Sequence, residues 1–379
     1  MMHTCIYRRV KFKTATREQI LQNFLGARWA SNEIVSSEVQ QAFSTTIDKA
    51  LELGLQEYRL LLGSEGGRGG AARPLKVKTT TGKSALLQPG GSAKLAEPSV
   101  TPNPENPEEF QIAISSASDV RWAAAKIREH FPAIDMDALS AALREKAQNP
   151  GPQPADPQDR LHLKPCVGGE ELFRGALKSL FNLLGVNNSA VALDPIFDPV
   201  RAFILEGIGG SRTFGRWPVR PPLTLPQLGE FDHFIAVYSR GPVVEGFAQF
   251  FGAFHWTFRL AAGYTGPEFC HAYCVDPLRQ AMPAEKRKPA VSSKSFAPFE
   301  EGRSEHDEDT WTYGQQQAVA FLRRHVQRAR EQALKADVES LIRDTLGPPD
   351  GRVITSTDIA RLVEAAGSLA KKYLASSGQ

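Results

Sequence analysis

This sequence has few cysteines, little net charge and no long apolar run. Its 379 residues include 4 cysteines, too few and too scattered for a disulfide framework. The 45 Lys and Arg residues nearly balance the 42 Asp and Glu residues, and a net charge of +3 argues against a polybasic coat for nucleic acid. Nowhere do roughly 18 uncharged apolar residues run together, and no apolar stretch follows the basic N-terminus. We therefore expect a soluble, cytoplasmic protein without a signal peptide.

Ordinary composition and several breaks in it indicate a folded chain of more than one domain. Hydrophobic residues make up 41% and charged residues 23%, which is close to the soluble-protein average. Three segments rich in glycine or proline interrupt the chain: Gly63–Arg73, Gln148–Arg160 and Met282–Asp309. We read the first of these as a flexible joint. The breaks predict four regions, residues 1–62, 74–147, 161–281 and 310–379.

Periodicity predicts helices and an antiparallel sheet in the form of a β-meander. Apolar residues recur every three or four positions from Ile47 to Leu62, and an aromatic block from Phe231 to Val275 alternates as strands do. We predict a hairpin over Lys76–Leu87 and strands Phe231–Tyr238, Val243–Phe251, Phe254–Ala261 and Glu268–Val275. We predict further helices over Ser118–Phe131 and Asp135–Gln148 (with Ser118 and Asp135 as N-caps), Glu170–Leu184, about 315–345 and about 356–374.

Histidines and cysteines of the aromatic block do not form a metal motif. On one strand, Cys270 and Cys274 would lie roughly 13 Å apart, too far to share a zinc ion, so we expect no metal there. Alternation places His255 on one face of the sheet with Gln249, Thr257 and Arg259. The simplest interpretation is that this face is the solvated side of a half-buried sheet.

Residues 5–48 carry short motifs in a fixed order. They read Cys5-Ile6-Tyr7-Arg8, Phe12, Thr16-Arg17-Glu18-Gln19-Ile20, Leu25-Gly26-Ala27, Val35-Ser36-Ser37-Glu38-Val39-Gln40 and Phe43-Ser44-Thr45-Thr46-Ile47-Asp48. This frame resembles a bacterial branch of the HNH (His-Me finger) endonucleases, which shows C-I-Y-C, T-x-E-H-[IV], L-G-G, [IV]-C-x-x-C-N and F-x-x-x-I-D. Weaker similarity extends to about residue 280.

The resemblance implies a small ββα module, but not the chemistry that goes with it. In the family, a histidine after a strand activates water, a divalent cation stabilises the leaving oxygen, and two C-x-x-C pairs hold a structural zinc. Here the base position is Gln19, preceded by Glu18, and the asparagine position is Gln40. The zinc positions are Cys5, Arg8, Ser36 and Val39. The resemblance therefore implies an α+β fold, a degenerate site at Glu18, Gln19 and Gln40, and neither metal.

These observations favour a catalytically degenerate HNH-like protein that binds DNA or another nucleic acid, or assembles with a protein partner. The basic side chains available for nucleic acid are those of Arg8, Arg17, Arg28, Arg323, Arg324 and Arg328. One alternative is an active metal-dependent DNA endonuclease with a rebuilt site, using Glu18, His3 or His255. Another is a protein-interaction platform in a multi-protein defence or mobile-element system that does not contact nucleic acid.

Overall fold

The chain is a mixed α/β protein whose strands pair in antiparallel sheets. The computed structural model describes residues 2–13, 17–102, 106, 109–114, 119–148, 160–162, 168–218, 228–278, 287–303, 308–347 and 353–376. Contacts divide the chain into two compact units, residues 1–318 and 319–379. The expectation of antiparallel sheets with flanking helices and a helical C-terminal region is confirmed. The four-region division stays a prediction.

The N-terminal segment forms two short hairpins followed by two helices. Its elements are β1 (His3–Thr4), β2 (Lys11–Phe12), β3 (Glu18–Gln19), β4 (Ala30–Ser31), α1 (Ser37–Thr45) and α2 (Ile47–Leu62). Strand β1 pairs with β2, and β3 pairs with β4. The predicted helix from Ile47 is confirmed, because Leu51, Leu55 and Tyr58 are buried along one face. It ends at Gly63, whose φ of +65° few other residues adopt.

The middle segment forms small sheets and a pair of helices. Its elements are β5 (Leu75–Thr79), β6 (Ser84–Leu87), β7 (Ala93–Leu95), β8 (Ser99–Pro102), β9 (Phe110–Ala113), α3 (Asp119–His130), α4 (Met136–Gln148) and β10 (Leu161–His162). The predicted hairpin is confirmed as β5 and β6. Asp135 caps α4, since its Oδ1 accepts hydrogen bonds from the N–H groups of Asp137 and Ala138. Ser118 lies outside the described residues, and so do positions 149–159 of the proline-rich segment Gln148–Arg160, which its composition predicts to be a linker.

A five-stranded sheet and a central helix form the main core of the first unit. The elements are α5 (Glu170–Asn187), α6 (Ser189–Ala192), α7 (Asp198–Glu206), α8 (Ser211–Phe214), β11 (Gly215–Arg216), β12 (His233–Arg240), β13 (Val243–Phe250), β14 (Phe254–Ala262) and β15 (Cys270–Val275). The strand order is β11-β14-β13-β12-β15. The four predicted strands are confirmed as β12 to β15, but the predicted meander is wrong at its last strand, because β15 pairs with β12 and not with β14.

Helix α5 lies between the sheet and α2, and glycines allow both contacts to be close. A Cβ on Gly175 would lie 3.0 Å from the carbonyl oxygen of Ile47 and 3.1 Å from Cβ of Leu51 on α2. On the opposite side, a Cβ on Gly246 of β13 would lie 2.6 Å from Cδ1 of Leu180. Almost every residue of α5 is therefore buried, including the polar Lys178, which a helix at a protein surface would expose to solvent.

The second face of the sheet is buried, contrary to our expectation of a solvated face around His255. The register pairs His255 with Gln249, so they share a face as predicted, but they are only 7% and 6% exposed. Residues 287–303, which we call the cover segment, pack on this face through Phe296. The N–H of Phe299 donates to Oε1 of Glu245, which fixes the segment over β13. Sequence alternation could not reveal this covering because the cover segment has no regular period.

The C-terminal unit contains helical structure, as predicted. Helix α9 (Glu308–Leu346) begins earlier than the sequence suggested. Helix α10 (Ser356–Ser376) follows. The hydroxyl of Tyr373 donates to Oδ2 of Asp337 at 3.0 Å and joins the two helices. Among the described residues, no helix combines the length and apolar character that crossing a bilayer requires.

Candidate functional site

A polar cleft of about 860 Å³ lies where β3, α1 and α2 meet α5. The residues that line it are exposed at the rim and buried at the inner end. The rim residues are Arg17, Ser37, Gln41, Ser44, Lys49 and Arg68; the half-buried ones are Gln19, Asn23, Phe24, Gln40, Asp48 and Glu52; the buried ones are Glu18, Gln22 and Lys178. The structure thus brings four predicted site residues into one cleft: Arg17, Glu18, Gln19 and Gln40.

The strands β3 and β4 and the helix α1 follow one another along the chain, and this order brings the predicted motif positions Gln19 and Gln40 together. Strand β3 presents Glu18 and Gln19 and pairs with β4, after which α1 presents Gln40. Nε2 of Gln40 donates to the carbonyl oxygen of Arg17 at 2.8 Å and holds the helix against the start of the strand. Gly26, with φ of +85°, ends the short 3-10 turn Asn23–Leu25 between the two strands.

A glycine-rich loop contributes one side of the cleft. We predicted a flexible joint over Gly63–Arg73, but Gly67 of this loop packs closely against the connection between β3 and β4. A Cβ on Gly67 would lie 2.0 Å from the carbonyl oxygen of Ala27, so only glycine fits there. The N–H of Gly67 also donates to the carbonyl oxygen of Asn23 at 2.8 Å. These contacts fix the backbone next to Arg68, a rim residue of the cleft.

A lysine between two carboxylates forms the buried end of the cleft. Nζ of Lys178 lies 2.5 Å from Oε1 of Glu18, and 2.8 and 2.7 Å from the two carboxylate oxygens of Asp48. The side chains of Lys178 and Glu18 are 1% and 3% exposed, whereas that of Asp48 is 22% exposed and reaches the cleft. The ammonium thus forms ion pairs with one buried and one accessible carboxylate.

Amides and hydroxyls complete the hydrogen bonding around this ion cluster. Nδ2 of Asn182 donates to Oε1 of Glu18 at 3.0 Å, and its Oδ1 accepts from the hydroxyl of Tyr7 at 2.8 Å. Nε2 of Gln22 donates to Oδ1 of Asp48 at 2.9 Å, and the hydroxyl of Ser179 donates to Oε1 of Gln22 at 3.0 Å. Buried charges require this kind of satisfaction, and the network ties α5 to the N-terminal module.

Electrostatics determine which group in the cluster carries a proton. Burial raises the pKa of the Glu18 carboxyl above its ordinary 4.5; Asp48 adds to this rise and Lys178 opposes it. Burial alone would lower the pKa of Lys178, but Asp48 and Glu18 outweigh burial and raise it above 10.5. Lys178 is therefore charged at neutral pH. A nucleophilic lysine needs a lowered pKa, so this arrangement does not suit covalent chemistry at Nζ.

The general-base position of the motif holds the amide side chain of Gln19. Oε1 of Gln19 is closed to solvent and accepts no hydrogen bond within the described part of the chain. Oδ1 of Asn23 is in the same situation. An amide oxygen does not take up a proton at neutral pH, so Gln19 cannot act as a general base.

No protein-family model matches the chain, and neither a curated protein nor a solved structure matches it. The motif resemblance and this cleft are therefore the features of the chain that bear on its function.

The residues at the motif's zinc positions do not suit a zinc ion. Cys5, Ser36 and Val39 are buried, whereas Arg8 is exposed. They offer one thiol, one hydroxyl, one apolar side chain and one cation, and zinc requires deprotonated sulfur, nitrogen or carboxylate ligands. Over the described ranges, no three His, Cys, Asp or Glu side chains group as metal ligands. Cys166 lies outside them.

A divalent cation also fits the cleft poorly. The carboxylates of Glu18 and Asp48 are the donors that such a cation would use, but the ammonium of Lys178 already lies against both. A second positive centre within a few ångströms of this ammonium would be repelled. The two carboxylates therefore have the ammonium of Lys178, and not a divalent cation, as their positive partner.

The other predicted basic residues lie away from the cleft lining. Arg8 and Arg28 are exposed side chains of the N-terminal module that do not line it. Arg323 is exposed and Arg324 and Arg328 are half-buried on α9, within the C-terminal unit. His3 lies on β1, where its ring packs against Phe12. His255 lies on the buried face of the sheet, where its ring stacks on Phe247, and not in the cleft.

Sequence reasoning missed Asp48, Gln22, Lys178, Ser179 and Asn182 as site residues. A signal for three of them was present, because Lys178, Ser179 and Asn182 occur at helical spacing within the otherwise apolar run of α5. Polar residues on one face of a buried helix indicate a polar interface. Nothing in the sequence could show that the partners of this face would be Glu18 and Asp48.

Proposed function

We propose that this chain is a catalytically degenerate HNH-like protein whose cleft binds nucleic acid without cleaving it. The proposal depends above all on the ion cluster. The ammonium of Lys178 is paired with both carboxylates, Glu18 and Asp48, that a catalytic cation would need. Gln19 stands at the base position of the motif beside them. A phosphodiester bound here would meet neither a general base nor a Lewis acid.

The local order of elements supports the HNH-like part of this proposal. The hairpin of β3 and β4 followed by α1 is a strand–strand–helix unit, which is the arrangement that the motif resemblance implies. The two motif positions that carry the family's chemistry, here Gln19 and Gln40, line one cleft. A chance match of short motifs would not be expected to bring both positions together.

The rim of the cleft supports nucleic acid as the ligand. Arg17 and Arg68 are exposed there, and Lys49 is nearby with a surface ion pair to Glu52. Guanidinium groups bind phosphate oxygens with two parallel hydrogen bonds, so a pair of arginines at the entrance suits a phosphate backbone. The small net charge of the whole chain limits this attraction to the local rim.

A second candidate is an active nuclease, and one observation favours it. The side chain of Asp48 is 22% exposed and reaches the cleft, so a water molecule there could contact its carboxylate without displacing Lys178. In this case Asp48, and not Gln19, would be the base.

One gel experiment separates these functions. The full-length protein is incubated with labelled DNA and Mg²⁺, Mn²⁺ or Zn²⁺, and each sample is run on a native gel for binding and a denaturing gel for cleavage. The proposal predicts a shifted band and intact strands with all three metals. Cleavage that is lost in Asp48→Asn would establish the second candidate. No shift would leave a role in protein association as the remaining function and overturn the proposal.

A further inference from the structure

Exposed apolar side chains are concentrated in the C-terminal unit. Among the described residues, fifteen large apolar side chains are exposed, and ten of them lie between positions 319 and 363. The unit that holds these ten, residues 319–379, is a minor part of the chain. A soluble protein that gathers apolar side chains on one part of its surface commonly uses them to bind a partner.

Part of this surface forms a regular stripe along α9. Six exposed residues follow one another at alternating spacings of three and four: Val319, Leu322, Val326, Ala329, Ala333 and Ala336. We call these six residues the α9 seam. The spacing is that of the a and d positions of a coiled coil, where such a stripe packs against a second helix. The spacing and the exposure together indicate a helix–helix interface.

Helix α10 contacts α9 beside the seam and does not cover it. The hydroxyl of Tyr373 on α10 donates to Oδ2 of Asp337, which flanks the seam. The seam residues nearest to this contact, Ala333 and Ala336, are exposed. The seam is therefore suited to a helix other than α10.

The charge of α9 changes sign along its length. Positions 323–330 contain four arginines and no acidic residue, a net charge of +4 with His325 counted as neutral. Positions 331–344 contain four acidic and two basic residues, a net charge of −2. When two copies of α9 pack antiparallel, the positive part of each copy lies beside the negative part of the other. Parallel packing would bring like charges together, so the helix is complementary to a reversed copy of itself.

One antiparallel register also fits the seam. In this register Val326 of each copy packs against Ala336 of the other, and Ala329 packs against Ala333. Each of these pairs occurs twice, because a two-fold axis relates the copies. Branched valines thus meet alanines, and large side chains opposite small ones let the two helices interdigitate.

The same register places opposite charges at the edges of the seam. Arg323 of each copy lies beside Asp337 of the other, whereas Arg330 lies near its own equivalent at the two-fold axis. The two pairs of opposite charge outnumber the one pair of like charge. Exposed ion pairs stabilise little, so the seam supplies the association and the charges select the orientation.

We infer that α9 is a dimerisation helix, through which two copies of this chain pack antiparallel along the α9 seam. The inference is independent of the proposed function, because no seam residue lines the cleft. It gives Arg323, which the sequence predicted as a nucleic-acid contact, a role in orienting the second copy.

Light scattering behind size exclusion tests the inference on the full-length protein. At about 50 µM, we expect a mass about twice the 41.5 kDa of one chain. Leu322→Glu and Val326→Glu each place a charge in the seam and should raise the dissociation constant of the dimer at least about tenfold. Leu53→Glu is the matched control, because it changes another exposed leucine, on α2, and should leave the mass unchanged.

Folding and charge are controlled separately. Leu322 and Val326 are exposed within one chain, so their variants should fold, and cooperative urea unfolding checks this. Arg323→Glu keeps the seam intact but places like charges beside each other, so it should raise the dissociation constant about threefold to tenfold. Arg212→Glu, at an exposed position of α8, should leave it unchanged.

Disulfide trapping tests the orientation. The antiparallel register places Leu322 of one copy opposite Ser340 of the other. On mild oxidation, Leu322→Cys/Ser340→Cys should therefore form a covalent dimer, whereas Leu322→Cys alone should not. The wild type controls for the native thiols.

Three results would overturn the inference. A wild type with the mass of one chain leaves the seam to a different protein. A dimer that Leu322→Glu and Val326→Glu leave intact places the interface elsewhere. A covalent dimer of Leu322→Cys alone, or none of the double variant, shows that the helices are not antiparallel in this register.

Discussion

Nζ of Lys178 lies 2.5 Å from Oε1 of Glu18, and both side chains are closed to solvent. These residues come from α5 and from β3, so the contact joins the central helix to the motif-bearing hairpin. Oδ2 of Asp48, at 2.7 Å from the same nitrogen, extends the pair into the cleft. The buried ammonium therefore has two roles. It stabilises the packing of the β3–β4 hairpin and α2 on α5, and it takes the position at which the two carboxylates would otherwise bind a cation.

Replacing Lys178 should destabilise the protein strongly. Lys178→Met leaves Glu18 buried without its counter-charge, so we expect the free energy of unfolding to fall by about 3–5 kcal/mol. Urea denaturation at neutral pH measures it. The double variant Lys178→Met/Glu18→Gln should recover part of the loss because no unpaired buried carboxylate remains at position 18. Lys49→Ala, which breaks an exposed pair, should change stability by less than about 1 kcal/mol. A loss below 1 kcal/mol for Lys178→Met would contradict the account.

The raised pKa of Glu18 predicts a pH dependence of defined sign. Because the folded protein binds this proton more tightly than the unfolded chain does, stability from Glu18 is fully present below pH 4.5 and is lost as pH rises through the raised pKa. The difference in unfolding free energy between the wild type and Glu18→Gln should therefore shift in favour of the wild type as pH falls from 7 toward 4.5. Denaturant titrations at several pH values measure this difference. A constant difference would show that burial does not perturb Glu18.

Gly175 should be intolerant of a methyl group. In Gly175→Ala the new Cβ would meet the backbone of Ile47 at 3.0 Å, so α5 and α2 must separate. We expect a loss of about 1–3 kcal/mol by overpacking. Gly314→Ala is the matched helical control, because nothing lies within 4 Å of its Cβ position, and it should be neutral or stabilising by about 0.5–1 kcal/mol. Equal thermal stability of the two variants would argue against close α5–α2 packing.

His233 should weaken the protein in acid. Its Nδ1 accepts from the N–H of Phe251, and complete burial lowers its pKa from 6.5 to about 3. Between these values the unfolded chain binds a proton that the folded protein does not, so stability is lost as pH falls from 6.5 toward 3. His233→Asn keeps an acceptor, costs roughly 2–4 kcal/mol at pH 7 by losing ring packing, and should remove this acid-dependent loss. Parallel pH profiles for the two proteins would contradict it.

Local periodicity explains what the sequence could reveal of the fold. The strands from His233 to Val275 alternate because the sheet faces pack differently, and α2 repeats its apolar residues because one side meets α5. Each of these signals can be recognised within one element alone. The cover segment has no such period, so the burial of the sheet face that carries His255 could not be predicted.

The candidate site was predictable only in part. Motif spacing identified Glu18, Gln19 and Gln40, since the hairpin and α1 are neighbours along the chain. Lys178 contacts Asp48 across 130 positions, a pairing that depends on how α5 docks. Glu18 was considered as a replacement base, but its burial against Lys178 closes it to a substrate.

Nicking of supercoiled plasmid is a sensitive test of whether the cleft is inactive, because a single strand break changes the mobility of the whole molecule. The full-length protein is incubated with plasmid in Mg²⁺ or Mn²⁺, beside Gln19→Ala and Asp48→Asn. The account predicts that all three proteins leave the plasmid supercoiled, since Lys178 and Gln19 stand in the places of the cation and the base. Nicking by the wild type that disappears in Gln19→Ala or Asp48→Asn would contradict it.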